Sequence, residues 1–270
     1  DKGEWVFNAN QTFGNRFVQG FYDQYNTNAT GQTTGTGLLN QRLENQETNR
    51  ITTIQTDFSY IFPTISARME VGAKAIIENE YLDTYSERLN TSTNSFEEDT
   101  LSNFLYSFDQ QIYSVYGVFG QELGKWKYQV GIRGEHALQA PKLISNNEDY
   151  SKTYVNLFPS VHGRYKLNDV HEFGISYSKR INRPESGQMN PFTSYDDPFK
   201  LRVGNPNLNP EYIDSYELSH AFVSGKLSIN SSVFHRRTKD VINRVKIFYP
   251  DNSSKVIFDN IDNSISTGLE

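Results

Sequence analysis

The stretch WKYQVGIRGEHAL, residues 126–138, alternates between two kinds of side chain. One set is apolar or aromatic and includes Trp126, Val130 and Ile132, whereas the other is charged or polar and includes Lys127 and Glu135. Successive side chains of a β-strand point to opposite faces of a sheet. This period of two therefore predicts a strand with one apolar face and one wet face.

The same alternation recurs along the chain, and no long segment has a helical period. By pattern the strands are about 10–13 residues long, whereas strands of soluble proteins average about 5–6 and a tilted membrane-spanning strand needs about 9–11. Strand length therefore favours a membrane-spanning sheet. The recurring stretches are EWVFNANQTF, ITTIQTDFSY, SARMEVGAKA, HEFGISYSKRI and KLSINSSVFHRR.

The connections between these strands alternate between short and long. A bacterial outer-membrane barrel sorts its connections in this way, with short periplasmic turns and long outer loops. The sequence thus predicts an all-β fold: an antiparallel up-and-down meander of about ten long strands. Residues 1–270 are expected to form a single segment of a transmembrane β-barrel, open or partly closed. The short turns are predicted at 62–64, 122–125, 167–170 and 223–226, and the long outer loops near 14–49, 80–103, 139–153, 182–212 and 239–262.

Composition excludes several other classes of protein. The 270 residues carry a net charge of −6, which argues against a surface for nucleic acid. There is no cysteine, so neither a disulfide framework nor a thiolate zinc site is available. No run of about 18 apolar residues predicts a transmembrane helix. The 17 Tyr and 18 Phe fit the aromatic-rich outer band of a membrane barrel.

One stretch, YSKRINRPESGQMNPFTSYDDPFKLRVGNPNLNPEYIDSYELS at residues 177–219, resembles the barrel of TonB-dependent outer-membrane receptors. It is most similar to the outer-membrane β-barrel family of the Bacteroidetes type. Its prolines disfavour helix, and Tyr212 and Tyr216 follow where a strand is expected to re-enter the membrane.

The resemblance implies a place in the bacterial outer membrane, in contact with its lipid, and active import of a nutrient bound at the outer loops. It also implies two partners: a plug domain inside the barrel, and a TonB-type energising complex reached through an N-terminal segment. Neither the plug nor that segment is expected in this chain, so the chain alone is not expected to transport. The resemblance does not identify the nutrient.

Six charged residues are predicted to face the lumen, where a plug would pack. The alternative is the solvated face of a soluble sheet, which is equally wet. These residues are Lys127, Arg133, Glu135, Arg164, Lys166 and Arg180.

The candidate ligand-binding residues lie in the predicted loop 182–212. Its arginines, with Arg180, could meet an anionic ligand, but pairing with Asp196, Asp197 and Glu185 is the default expectation. Its aromatic residues could stack on a sugar or a peptide, or pack the loop itself. The candidates are Arg183, Phe192, Tyr195, Asp196, Asp197, Phe199 and Arg202.

No catalytic residue, metal site or cofactor is predicted. The five His are scattered without metal-ligand spacing, and no Gly-x-Ser-x-Gly motif occurs. The acids in residues 146–149 and 195–197 lack EF-hand spacing, so solvated loop acids are the favoured interpretation.

Two other functions stay open from the sequence. One is a non-transporting β-sheet module for binding or adhesion that recognises a glycan or a protein through its long loops. The other is a barrel enzyme such as an outer-membrane lipase or protease, which needs a nucleophile close to a base; the sequence offers no such local pair.

Overall fold

The computed structural model of the protein describes residues 3–194, 200–250 and 253–270, and most of them lie in β-strands. Helical structure within them is limited to α1 (Ser186–Met189) and two 3-10 turns, Pro63–Ile65 and Ile144–Asn146. None of the helices in these residues is long and apolar enough to cross a membrane. The strands are β1 (Gly3–Thr27), β2 (Thr33–Phe62), β3 (Ala67–Asn90), β4 (Ser95–Glu98), β5 (Phe104–Leu123), β6 (Trp126–Leu143), β7 (Glu148–Asp149), β8 (Lys152–Lys166), β9 (His171–Asn182), β10 (Thr193–Ser194), β11 (Lys200–Val203), β12 (Glu211–Ser224), β13 (Leu227–Lys239), β14 (Val241–Phe248), β15 (Ser254–Ile261) and β16 (Ser264–Leu269).

Ten of these strands form the barrel wall, in the order β1-β2-β3-β5-β6-β8-β9-β12-β13-β16. Each pairs antiparallel with the next. The predicted ten-stranded meander is confirmed. Within the described residues no pairing joins β1 to β16, so the wall is an open part of a barrel.

The two faces of the wall differ as the alternation predicts. Trp126 and Ile132 of β6 are more than half exposed on the outer face, and the outer residues of neighbouring strands continue this surface. Exposed apolar side chains in register across many strands are what a lipid-facing surface requires. We call this surface the outer belt; it includes Trp5, Phe7, Ile54, Val71, Val115, Val130, Ile132, Val161, Ile175, Leu218 and Val233.

Aromatic pairs lie toward both edges of the outer belt. Tyr177 of β9 contacts Tyr216 of β12, with ring centroids 4.9 Å apart. Toward the opposite edge Trp126 contacts Tyr165, with centroids 4.5 Å apart. Amphipathic rings prefer the two interfaces of a membrane, so these pairs fit the edges of a lipid-facing band.

The turns at one end of the wall are tight. Gly124 and Gly225 take positive φ angles of +57° and +60°, which lets β5–β6 and β12–β13 reverse direction without strain. The turn between β2 and β3 is the Pro63–Ile65 segment, closed by Ser66 in the left-handed region. With the β8–β9 turn at residues 167–170, all four turns fall where short connections are predicted.

At the other end, much of the chain predicted as loop is β structure. β1 runs on to Thr27 and β2 begins at Thr33, so most of the predicted loop 14–49 is an antiparallel hairpin, whose β2 limb also pairs with β3 from Gln41 onward. The predicted loop 80–103 likewise contains the end of β3 and all of β4. These segments mix polar residues with aromatic ones such as Phe17 and Phe21, which obscures the period of two, yet antiparallel pairing still satisfies their backbone groups.

The connection between β9 and β12 and the connection between β13 and β16 together form a small second sheet, which we call the loop sheet. It consists of β10, β11, β15 and β14. β11 comes from the connection before β12, and β15 from the connection before β16. These two strands pair in parallel, with Arg202 opposite Val256. The loop sheet therefore joins two outer connections that are far apart in sequence.

Candidate functional site

The connection between β9 and β12 is fastened to the inner face of the barrel wall. At its start Arg183 donates from Nη2 to Glu135 Oε2 at 2.5 Å, and from Nε to the Tyr154 hydroxyl at 3.2 Å. Gln139 donates to the carbonyl of Pro184 at 3.2 Å. This connection is therefore rooted inside the barrel rather than projecting freely from it.

α1, which follows directly in the chain, is held against the inner face of the wall. The Ser186 hydroxyl donates to Glu80 Oε1 at 2.5 Å, and the Tyr106 hydroxyl donates to the Ser186 carbonyl at 3.0 Å. Met189 is fully buried against Tyr106 and Phe108. Burial raises the pKa of the Glu80 carboxyl above its ordinary value, a shift that nearby acids reinforce and the Ser186 hydrogen bond opposes.

The returning half of the same connection, GNPNLNP at residues 204–210, packs tightly on the first half. Gly204 donates to the carbonyl of Asn190 at 2.9 Å, and Asn205 to that of Gln188 at 2.7 Å. A Cβ at Gly204 would lie 2.5 Å from the Asn190 carbonyl oxygen, so only glycine fits. Leu208 is fully buried. The segment is thus an ordered part of the structure.

Lys152 of β8 secures this returning half to the wall. Its Nζ donates to the carbonyl of Leu208 at 3.0 Å and to Asn209 Oδ1 at 3.3 Å. Asn209 in turn exchanges hydrogen bonds with Asn260 of the other connection, at 2.7 and 3.0 Å. Wall, first connection and second connection therefore form one hydrogen-bonded unit.

Between the wall and these two connections lies a cavity of about 550 Å³, which we call the outer pocket. Its wall side is uncharged and includes Leu43, Leu82 and Phe104. Its opposite side is formed by the loop sheet and by the connection that carries α1. The described lining residues are Leu43, Asn45, Leu82, Thr84, Ser102, Phe104, Gly187, Asn190, Phe192, Arg202, Val203, Gly204, Arg244, Lys246, Val256 and Phe258.

One wall of the outer pocket is basic. Arg202 of β11 and Lys246 of β14 both lie opposite Val256 of β15, so all three side chains share one face of the loop sheet. Arg244 lies two residues from Lys246 and therefore on that same face. The guanidinium of Arg244 stands over the Phe258 ring, 5.4 Å from its centroid.

An aromatic pair forms another part of the lining. Phe104 of β5 and Phe192 are stacked, with centroids 3.9 Å apart and planes 23° apart. The pair joins the connection to the wall and presents apolar surface to the cavity.

The structure divides the predicted ligand-binding residues into three groups. Phe192 and Arg202 line the outer pocket. Arg183 does not: it pairs with Glu135 of the wall, whereas the sequence suggested pairing with Glu185, Asp196 or Asp197. Tyr195, Asp196, Asp197 and Phe199 lie outside the described residues.

The lining residues missed from sequence include four that bring a charge or an aromatic ring to the cavity. Arg244, Lys246 and Phe258 lie in the predicted loop 239–262, and Phe104 lies at the start of a strand. A usable signal was present, because NRVKIF at residues 243–248 alternates basic and apolar residues as a strand does. Nothing in the sequence showed that this strand would join one from the preceding connection.

The residues predicted to face the lumen are on the inner face of the wall. Lys127 pairs with Glu122, and Arg133 Nε lies 3.0 Å from Glu135 Oε1. A second, larger cavity of about 1140 Å³ runs along this face and is lined by Lys127, Arg164 and Arg180, among others. No group of three or more His, Asp or Glu side chains in the described part of the chain is placed to hold a metal ion.

An antiparallel wall with an apolar outer face, a charged inner face and sorted connections defines an outer-membrane β-barrel. The family comparison agrees, because the model of the outer membrane protein beta-barrel family matches residues 1–270. The chain belongs to this family, and its place is the outer membrane. A comparison with curated proteins finds no match.

Solved structures of receptors and transporters share the fold. The copper transporter OprC is 12% identical, with a TM-score of 0.65 over 97% of this chain and 40% of OprC. The ferric-catecholate import receptor Fiu from Escherichia coli K12 is 11% identical, with a TM-score of 0.61 over 100% of this chain and 42% of Fiu. The ferric yersiniabactin uptake receptor FyuA from Yersinia pestis is 13% identical, with a TM-score of 0.54 over 98% of this chain and 36% of FyuA.

These similarities confirm, for the fold, the predicted resemblance to TonB-dependent receptor barrels. The chain spans roughly two fifths of the length of the receptors it resembles.

Proposed function

We propose that this chain is the ligand-gathering part of an outer-membrane import receptor. It binds a small nutrient in the outer pocket, at the outer mouth of the barrel, and releases it toward the charged lumen. The single observation that carries this proposal is the outer pocket itself. A cavity of about 550 Å³ is the size of a small-molecule site, and it lies between the barrel wall and folded outer connections.

The arrangement suits capture followed by release. The wall side of the pocket is a rigid sheet, whereas the other side rests on hydrogen bonds from Asn209, Asn260 and Ser186 that can be broken. Below the pocket, the lumen offers charged side chains rather than an apolar barrier. A ligand held by both sides would be freed when the connections move away from the wall.

Import across the outer membrane also requires two partners. We propose that a plug domain packs against the inner face, including Arg164 and Arg180, and that a TonB-type complex supplies energy from the inner membrane. The import and uptake receptors that share the fold support this proposal.

The predicted site residues take different roles in this proposal. Phe192 and Arg202 contact the ligand, and Arg183 positions the connection that carries them. Tyr195, Asp196, Asp197 and Phe199 stay predictions for ligand contact, since they belong to the same connection.

Comparative uptake in the source bacterium tests the proposal. A strain lacking the gene and a complemented strain would be grown in the same medium, and depletion of solutes would be followed by mass spectrometry. We expect at least one small solute to be depleted only by the complemented strain, and only when the inner membrane is energised. A protonophore should abolish the difference.

A second complementation links uptake to the pocket. Gly187 lines the cavity, and a Cβ there meets no atom within 4 Å, so Gly187→Trp should fill the pocket without disturbing the wall. Depletion should be lost in this variant. A non-transporting binding module would instead be favoured if the deletion strain depleted solutes as fully as the complemented strain. The same holds if the protonophore had no effect on depletion.

A further inference from the structure

We infer that the outer pocket selects a compact organic anion with a flat apolar portion, held with its negative end toward the loop sheet. This inference rests on the proposed function, because it names the class of ligand that the same pocket takes. It follows from the placement of charge and apolar surface within the cavity.

The first observation is that three cations converge on one side. Neighbouring strands lie about 4.8 Å apart, so Arg202 and Lys246, on either side of Val256, are separated by about 10 Å. Arg244 is about 7 Å from Lys246 along β14. A carboxylate or phosphate placed over Val256 would lie within reach of all three flexible side chains.

The second observation is that no acid among the described residues neutralises these cations. Several basic side chains elsewhere are paired with acids, as in Arg183–Glu135 at 2.5 Å and Arg88–Asp99 at 2.8 Å. Arg202, Arg244 and Lys246 form no ion pair within the part of the chain that the structure describes. In a chain with a net charge of −6, such a basic cluster is a local exception.

The third observation is that apolar side chains form much of the remaining lining, beside the uncharged polar residues Asn45, Thr84 and Ser102. Leu43, Leu82 and the stacked rings of Phe104 and Phe192 form a surface suited to a flat hydrocarbon or aromatic group. A ligand with one charged end and one apolar end is therefore oriented by the cavity.

The same lining disfavours a bare metal cation. Among the described lining residues there is no carboxylate, imidazole or thioether, and three positive charges repel a cation. A copper transporter shares this fold, but this pocket is built for the opposite charge.

Two matched probes test the inference: 2-naphthoate and its uncharged counterpart 2-naphthamide. Binding would be measured by saturation-transfer NMR on the complete outer-membrane protein that carries this segment, in lipid nanodiscs. We expect naphthoate to bind at least ten-fold more tightly than naphthamide, and the difference to shrink as salt is added.

Charge-neutralising variants locate the binding. The triple variant Arg202→Gln, Arg244→Gln, Lys246→Gln should lose at least ten-fold in naphthoate affinity and leave naphthamide unchanged. The control is Lys255→Gln, because Lys255 lies between Leu201 and Ile247 on the opposite face of the loop sheet. It should bind both probes like the wild type. Heat-modifiable electrophoretic mobility would show that every variant is folded.

Three results would overturn the inference. Equal affinity for the two probes would remove charge as the basis of selection, and so would no binding of either. An equal loss in the triple variant and in Lys255→Gln would remove the pocket as the location. In each of those cases, energised uptake that is blocked in the Gly187→Trp variant would still support the proposed import. Failure of the ligand class is therefore distinguishable from failure of the proposed import.

Discussion

Arg183 and Glu135 form an ion pair of 2.5 Å in which the side chains are only 15% and 6% exposed. Arg183 is the first residue after β9, and Glu135 lies on the inner face of β6. The same carboxylate also forms an ion pair with Arg133, whose Nε lies 3.0 Å from Glu135 Oε1. One buried acid of the wall therefore fixes the direction in which the longest inward-folded connection leaves the barrel.

Replacing Arg183 should loosen this connection. Arg183→Met removes a buried donor from Glu135 and should destabilise the region by about 1–3 kcal/mol, because Arg133 compensates only in part. Limited proteolysis of residues 183–210 would measure the loosening, and urea unfolding in lipid vesicles would measure the loss of stability. Arg180→Met is the control, since Arg180 is exposed and no described acid pairs with it. Equal protease sensitivity of the two variants would contradict the role given to Arg183.

Gly204 should not tolerate a side chain. In Gly204→Ala the new Cβ would meet backbone oxygens of Asn190 and Gln188 at 2.5 and 2.6 Å, so the two halves of the connection must separate. We expect faster amide exchange at Gln188–Asn190 and lower affinity for the pocket's ligand. Gly187→Ala is the matched control, because its Cβ meets nothing within 4 Å. Unchanged exchange in Gly204→Ala would show that the close packing is absent.

Docking of α1 should depend on pH through Glu80. Burial holds the folded-state pKa of Glu80 above its ordinary value of 4.5, so the docked state binds more protons than the undocked state between those two values. Stability of the docked state therefore rises as the pH falls through that window, and levels off below it. Amide exchange of Ser186–Met189, corrected for intrinsic rates, would measure this.

Glu80→Gln should remove that dependence, because the amide still accepts from Ser186 but does not titrate. At neutral pH its α1 should be at least as protected as in the wild type. The same substitution at exposed Glu97, far from α1, should leave the pH profile intact. A wild-type profile that is flat or rises with pH would refute the assignment to Glu80.

Asn260 should couple the two connections that form the loop sheet. Its side chain accepts from the Asn209 amide at 2.7 Å and donates to the carbonyls of Asn209 and Asp240 at 3.0 and 2.7 Å. Asn260→Ala should cost about 1 kcal/mol for each hydrogen bond lost and speed amide exchange in both connections together. Asn263→Ala, which loses only a contact to Asp262, is the control. Faster exchange in one connection alone would argue against coupling.

A charged residue in the outer belt should destabilise the folded protein in a membrane. Ile132 lies in its middle, so Ile132→Arg should cost about 2–4 kcal/mol of folding free energy in a bilayer. Gln129→Arg places the same charge on the inner face and should fold normally. Folding into lipid vesicles, followed by heat-modifiable mobility, compares the two. Equal folding would mean that the belt does not face lipid.

The sequence by itself determined the wall. The alternation of residues 126–138 places Ile132 outward and Glu135 inward whatever surrounds them, because a strand offers only two faces. Short turns that contain Gly, Pro, Asn or Asp join neighbouring strands and so set the ten-stranded order.

Tertiary structure alone decided the outer pocket. Local pattern predicts that Lys246 lies on a strand, but not that this strand pairs through β15 with the one bearing Arg202. The pairing joins segments more than forty residues apart. Likewise, Arg183 and Glu135 meet across 48 residues. Contacts between residues so far apart in sequence depend on how the connections fold back into the barrel. The periodicity of the sequence does not predict that folding.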